Sequence, residues 1–270
     1  MDTYHILNFH QIFAENAHCL SKRLGVDLIK DFKPTDGHIY IIFGAHEQAL
    51  TLMACQSQNR TIKYIIINGE PPQSPVLRNK YYLSLMKNNI VWDYHPTSTA
   101  HLKTIGARVW GQYTFEFPGF KNSTEREIDI LFVGSSSPRR EAVRDMLKNK
   151  YPNKNIIFHL DWSMSDPSKL TNELLRAKTV LNIPYYDSGI LETHRINKAL
   201  SCGCEVVSLY SGHKPTDDFY EKYIYLTHDI VDFFNEERID EERLSYPNLM
   251  TTLSTSLIHN KWVMSELVKN

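Results

Sequence analysis

The sequence predicts an α/β protein of two units, each built on a mainly parallel sheet. Three observations carry this. Short β-rich apolar runs alternate with stretches of helical apolar spacing, as parallel strands joined by crossover helices require. The alternation stops once, in FPGFKNSTEREI (117–128), and then restarts. A chain of 270 residues is long enough for two domains of moderate size.

Taken in order, HIYIIFG (38–44) is a buried strand ending at Gly44, and EQALTLMACQSQ (47–58) has helical spacing. YIIING (64–69) is the next strand, RNKYYLSLMKN a helix, NIVWDY (89–94) a third strand and RVWGQYTF (108–115) a short fourth. Past the connector, DILFVGSSSPRREAVRDMLKNKYP (129–152) reads as strand, glycine turn and helix. NIIFHL (155–160) is a strand, SKLTNELLRAK (168–178) a helix and TVLNIPYY (179–186) a strand. THRINKALSCG (193–203) is a helix and CEVVSLY (204–210) a strand; DDFYEKYIYLTH and the remainder are expected to close with helices.

Net charge is −1, so bulk electrostatics gives no case for nucleic acid or an anionic membrane as partner. No stretch reaches the roughly 20 apolar residues of a membrane span, and the N-terminus MDTYHILNFHQIF lacks the pattern of a secretory leader. Cys19, Cys55, Cys202 and Cys204 form neither a CxxC pair nor a zinc quartet. A reducing, cytoplasmic setting is the expectation.

In parallel sheets ligands sit beyond the carboxyl ends of the strands, so the residues ending each strand carry the functional reading. In GSSSPRRE (134–141), Gly134 permits close backbone approach, while Ser135 and Ser136 supply hydroxyls. Pro138 suits a first helical turn, whose free N–H groups and partial charge attract anions. Arg139 and Arg140 add fixed positive charge with phosphate-matching geometry. The stretch is neither GxxxxGK[ST] nor GxGxxG. A capped helix carrying surface arginines explains it equally well.

The second loop, NIPYYDSGILETHR, runs from a strand into a helix. Glu192 at the helix start suits sugar or ribose hydroxyls, Arg195 and Lys198 suit a diphosphate, and Tyr185 or Tyr186 suits a base. A plainer account has Glu192 favouring the helix N-terminus and pairing with Arg195 at i, i+3.

FVGSSSPRRE (132–141), LNIPYY (181–186) and ILETHRINKALSCG (190–203), with NGEPPQ (68–73) and VWDY (91–94) before them, resemble glycosyltransferases of the GT-B type. The likeness is closer to glycosyltransferase-like proteins of bacteria and large viruses, and it spans about residues 38 to 210. It implies two Rossmann-like domains facing a cleft: an acceptor-side domain over 1–120, a nucleotide-sugar domain over 121–256, and a C-terminal helix over 257–270 returning to the first. On this resemblance Gly134, Ser135, Ser136, Arg139, Arg140, Asn182, Tyr185, Glu192, Arg195 and Lys198 would hold a nucleotide-diphosphate sugar. That donor is a substrate, and no separate cofactor is expected. The chain departs at Lys198, where many GT-B enzymes carry a glutamate; either Glu192 takes over hydroxyl binding or the ribose is held otherwise.

No DxD follows a strand, so a metal is not expected and leaving-group charge would fall to the arginines, Lys198 and a helix N-terminus. Inverting transfer to a glycan hydroxyl needs a base, for which Glu70, Asp93 and His46 are the candidates in that order. The competing expectation is a catalytically inactive nucleotide- or glycan-binding protein on the same fold. Other nucleotide-dependent enzymes, oxidoreductases and methyltransferases among them, are disfavoured by the missing GxGxxG.

Overall fold

The computed structural model describes residues 3–120, 125–187, 189–235 and 243–253. The helix expected over 257–270 lies outside them. The chain divides into two compact units, one reaching Glu116 and the other running from Phe117 to Thr251. Phe117 and Phe120 therefore go with the second unit. The Phe117 amide donates to the Tyr246 hydroxyl at 2.8 Å, and the Phe120 amide to the Ser201 carbonyl at 2.9 Å.

The first unit runs β1 (Thr3–Asn8), α1 (Ala14–Leu24), β2 (Asp27–Ile29), β3 (His38–Phe43), α2 (Ala49–Gln58), β4 (Lys63–Asn68), α3 (Lys80–Asn88), β5 (Ile90–Asp93), α4 (Pro96–Thr104) and β6 (Arg108–Gln112). Its strands are all parallel, in the order β2-β1-β3-β4-β5-β6. Ile39 to Phe43 and Tyr64 to Asn68 are buried without alternation, as strands covered on both faces must be.

The second unit runs β7 (Ile128–Val133), α5 (Pro138–Lys150), β8 (Ile156–His159), α6 (Pro167–Arg176), β9 (Ala177–Asn182), α7 (Thr193–Ser201), β10 (Glu205–Leu209), α8 (Lys214–Tyr220), β11 (Tyr225–Thr227) and α9 (Ile230–Phe233). This sheet is also parallel, ordered β11-β10-β9-β7-β8. Counted from its own first strand, it has the doubly wound order 2-1-3-4-5, that of the first sheet without its sixth strand. Both units are Rossmann-like. In each, the order reverses once, between β1 and β3 and between β7 and β9, and there the loops part to opposite faces and open a crevice.

Local chemistry sets the ends of these elements. Ser137 caps α5 and Asp166 caps α6, its carboxylate accepting from the amides of Ser168 at 2.8 Å and Lys169 at 3.1 Å. The strand expected over 179–186 starts earlier, at Ala177, and stops at Asn182, two residues before Pro184, which cannot donate to a ladder. The expected closing helices are also corrected. Tyr225–Thr227 pairs with β10 as a strand, in keeping with its β-prone run, and helix α8 precedes it.

Candidate functional site

The crevice of the second unit gathers most of the predicted donor residues. Glu192, the N-cap of α7, spends its carboxylate on two arginines rather than on the helix. One oxygen accepts from Arg140 Nη2 at 3.0 Å and from the Tyr185 amide at 3.1 Å. The other pairs with Arg195. Both guanidinium groups also lie over the Phe132 ring, at 4.9 and 5.1 Å.

The two arginines do different work. Arg140 is 2% exposed, and its Nε and Nη2 donate to the Ile183 carbonyl at 3.0 and 2.7 Å while Nη1 donates to the Ser135 carbonyl at 2.8 Å. It ties the two loops together. Burial, followed by the adjacent positive charge of Arg195, pulls its pKa down to about 10. Arg195 Nε donates to the Val133 carbonyl at 3.0 Å, and Nη1 to Asn182 Oδ1 at 2.9 Å. Among the described residues its Nη2 makes no hydrogen bond, and the side chain is 18% exposed.

Gly134 has a purpose beyond a turn. A Cβ there would lie 2.8 Å from Arg195 Nη2 and 3.1 Å from Arg140 Nη1, so the missing side chain makes room for the guanidinium pair. Asn182 is fully buried and holds Ser208 Oγ at 2.9 Å with its amide. The Ser136 hydroxyl is bonded to Glu141, and the partly exposed Ser135 stands beside it. Arg139 reaches the exposed Asp187 at 2.8 Å, a pairing worth little in water. Tyr185 is 44% exposed at the rim, its ring 5.3 Å from Arg140.

Lys198 does not join this group. It is 2% exposed, donates to Thr171 Oγ1 at 2.7 Å, and lies 5.3 and 4.5 Å from the rings of Phe117 and Phe120. At i+3 from Arg195 it falls on the buried side of α7, facing α6 and the entry to the unit. His194 packs edge-on against Phe117 at 4.9 Å.

In the first unit the crevice between β1 and β3 is lined by imidazoles and carboxylates. His46 Nε2 is 3.4 Å and His10 Nε2 3.9 Å from one Glu47 oxygen. Gly44 is left-handed at φ 66, and a Cβ there would sit 2.7 Å from His10 Cβ; a side chain at that position would strain the backbone and collide. Glu70 is half-buried after β4, its Oε2 accepting from Ser74 Oγ at 2.6 Å. Asp93 is fully buried after β5 and accepts from Asn68, the His95 amide, Ser98 and Thr99 at 2.7, 3.0, 3.0 and 3.3 Å. Its oxygens are occupied by the fold, and it braces the Glu70 loop through Asn68.

No protein-family model matches the chain, and no curated protein is similar enough to match it. Its chemistry rests on its own side chains.

His10 is the residue that strand-end reasoning passed over, and a signal for it exists. Asn8-Phe9-His10 and Asp93-Tyr94-His95 repeat one device at the ends of β1 and β5. In each, the first side chain accepts from the histidine amide, at 3.2 and 3.0 Å, and the histidine Nδ1 accepts from the amide two residues on, at 3.3 and 3.1 Å. With Nδ1 accepting, neutral His10 carries its proton on Nε2 and presents a donor. Burial and then His46 lower its pKa, against the opposing charges of Glu47 and Glu70.

Asp93 makes one pH prediction. Burial raises its pKa from 3.8 to about 6, against the pull of the four donors. The folded state therefore binds this proton more tightly than the unfolded chain does. Its favourable contribution is complete below about pH 4 and is lost as pH rises through about 6. Asp93→Asn should cost more at pH 5 than at pH 7, by roughly 1 kcal/mol, the part of the shift that is lost between those two pH values. Urea titrations of both proteins at the two pH values check it, and a difference independent of pH rejects it.

Proposed function

We propose that the protein is a metal-independent glycosyltransferase of the GT-B type, moving a sugar from a nucleotide-diphosphate sugar to a glycan hydroxyl with inversion. The observation that carries the reading is Arg195. Its Nη2 is a charged donor with no partner among the described residues, held at the β7/β9 crevice by Val133, Asn182 and Glu192. A group fixed on three sides with one edge uncommitted needs no reorganisation to receive an anion. The N-terminus of α5 and Arg139 add to the same field. Together they meet the charge that develops on a departing diphosphate; Glu70 is the proposed base for the attacking hydroxyl.

A second reading, an inactive binder on the same fold, is favoured by Lys198. It stands where the family resemblance expects a hydroxyl-binding glutamate, and it is buried against Phe117 and Phe120.

Thermal shift against UDP, GDP, CMP and dTDP sugars, with and without Mg²⁺, and against NAD and S-adenosylmethionine, tests the class. One nucleotide sugar should raise the melting temperature without metal; ligand at 100 times its Kd adds about 2.7 kcal/mol. Arg195→Ala should abolish that shift while leaving the unliganded protein folded. A response to NAD or S-adenosylmethionine alone would overturn the proposal, and an undiminished shift in Arg195→Ala would remove its central residue.

A further inference from the structure

The donor-site reading leaves unused the most exposed large hydrophobic side chain among the described residues of the second unit. Trp162 is 68% exposed, and Tyr185 and Tyr210 are 44% and 38% exposed. The three follow the carboxyl ends of β8, β9 and β10, along the edge that holds the arginine pair. Trp162 is also tied to that pair's loop through the backbone. The Gly134 amide donates to the His159 carbonyl at 3.0 Å, and the Ser136 amide to the Leu160 carbonyl at 3.0 Å. A turn at 161–165 follows, with the Ser165 amide donating to the Trp162 carbonyl at 3.1 Å and the Ser163 amide to Asp161 Oδ1 at 2.9 Å.

In the sheet, β7 lies between β9 and β8. The Gly134 loop therefore has the Tyr185 loop on one side and the Trp162 loop on the other. A ligand with its diphosphate at Arg195 would meet an exposed aromatic ring in each direction. A nucleotide sugar has that form, with an arm on each side of the diphosphate. The sugar joins the diphosphate directly and forms the short arm; the base, beyond its ribose, ends the long arm. Tyr185 is the near ring, because its amide is held by the same Glu192 carboxylate that pairs with Arg195. Trp162 is the far one, three residues beyond the last residue of β8.

On the footing of the proposed donor site, we infer that Trp162 is the stacking platform for the nucleobase, and that Tyr185 lies against the transferred sugar. An indole held in water gains on covering by a base, and such stacking tolerates every base because each has a π face. This exchanges the role the sequence suggested for Tyr185. It also makes base selectivity the task of other groups near Trp162.

The test uses the full chain and two kinds of probe: the nucleoside diphosphates UDP, GDP, CDP and dTDP, and pyrophosphate, which has no base. Titration calorimetry should show at least one nucleotide binding more tightly than pyrophosphate. Trp162→Ala should weaken that nucleotide by roughly 10- to 100-fold, the range of one base–aromatic stack, and leave pyrophosphate unchanged. Trp162→Phe should restore part of the loss. Because the residue is exposed, circular dichroism should show the variant folded.

Wild-type nucleotide affinity in Trp162→Ala, with affinity still lost in Arg195→Ala, sinks the platform and spares the donor site. Equal weakening of pyrophosphate and nucleotide in Trp162→Ala also sinks it, since the loop rather than the base would then be responsible. Binding of neither probe to the wild type, or no effect of Arg195→Ala, removes the donor site and the platform with it.

Discussion

If Glu70 is the base of the proposed transfer, Glu70→Gln should bind the donor as the wild type does and turn over about 10²- to 10⁴-fold more slowly, the usual cost of removing a general base. The substitution suits the question because it preserves the loop. Asn68 Nδ2 donates to the Glu70 carbonyl at 3.0 Å, and Asn68 Oδ1 faces the Glu70 amide at 3.4 Å. Ser74 Oγ donates to Glu70 Oε2, a bond a glutamine oxygen can still accept. The side chain is thus fixed from behind, with Pro71 and Pro72 closing the loop. Lost donor affinity together with lost turnover would mean that Glu70 supports binding. Turnover near wild type would move the role to His46. His10 is a poorer base, since its Nδ1 is occupied and its Nε2 carries the proton. His10→Gln should therefore act on acceptor KM more than on the pH profile.

Arg140→Ala should lower the stability of the second unit by about 3–5 kcal/mol, the cost of breaking a buried, hydrogen-bonded ion pair. Three losses add. The Ile183 and Ser135 carbonyls lose their donor, and each unsatisfied buried group costs about 1–3 kcal/mol. The space between Phe132 and Tyr185 empties, since Arg140 lies 4.9 and 5.3 Å from their rings. Glu192 loses one of its two arginines and keeps Arg195 and the Tyr185 amide. Calorimetry should show the transition of this unit falling by about 10–20 °C. Lysine has no planar fork to bridge two carbonyls and a carboxylate, so Arg140→Lys should recover little. A variant with unaltered melting would mean that the loops hold together without it.

The sequence makes the scaffold legible where both faces of a strand are buried. Ile39 to Phe43 and Tyr64 to Ile67 stand out because nothing polar interrupts them. Strand β1 hides because it carries a polar ring inside the sheet: His5, whose Nε2 lies 2.9 Å from His38 Nδ1. Helix α4 hides because its buried side includes Ser98 as well as Leu102, the serine bonded to Asp93. At the second crevice, strand-end position brings Gly134, Arg140, Asn182, Glu192 and Arg195 into view. Which arginine is consumed by the fold is another matter. That depends on where the carbonyls of Val133, Ser135 and Ile183 point, which side-chain chemistry does not encode. Lys198 went astray for a related reason: one helical turn carried it from the crevice to the aromatic pair.

The strand order has a consequence for how the chain comes into being. Every strand of the first sheet falls within residues 3–112 and every strand of the second within 128–227; neither sheet borrows from the other. During synthesis, which proceeds N-terminus first, the leading half can complete its hydrogen-bonded ladder before the trailing half has left the ribosome. Within each half the third strand must pair on the far side of the first, so edge β-strands stay open until it arrives. Nascent-chain pausing near the connector would lengthen the time available to the leading half, and pausing inside either half would prolong the exposure of its unpaired edges.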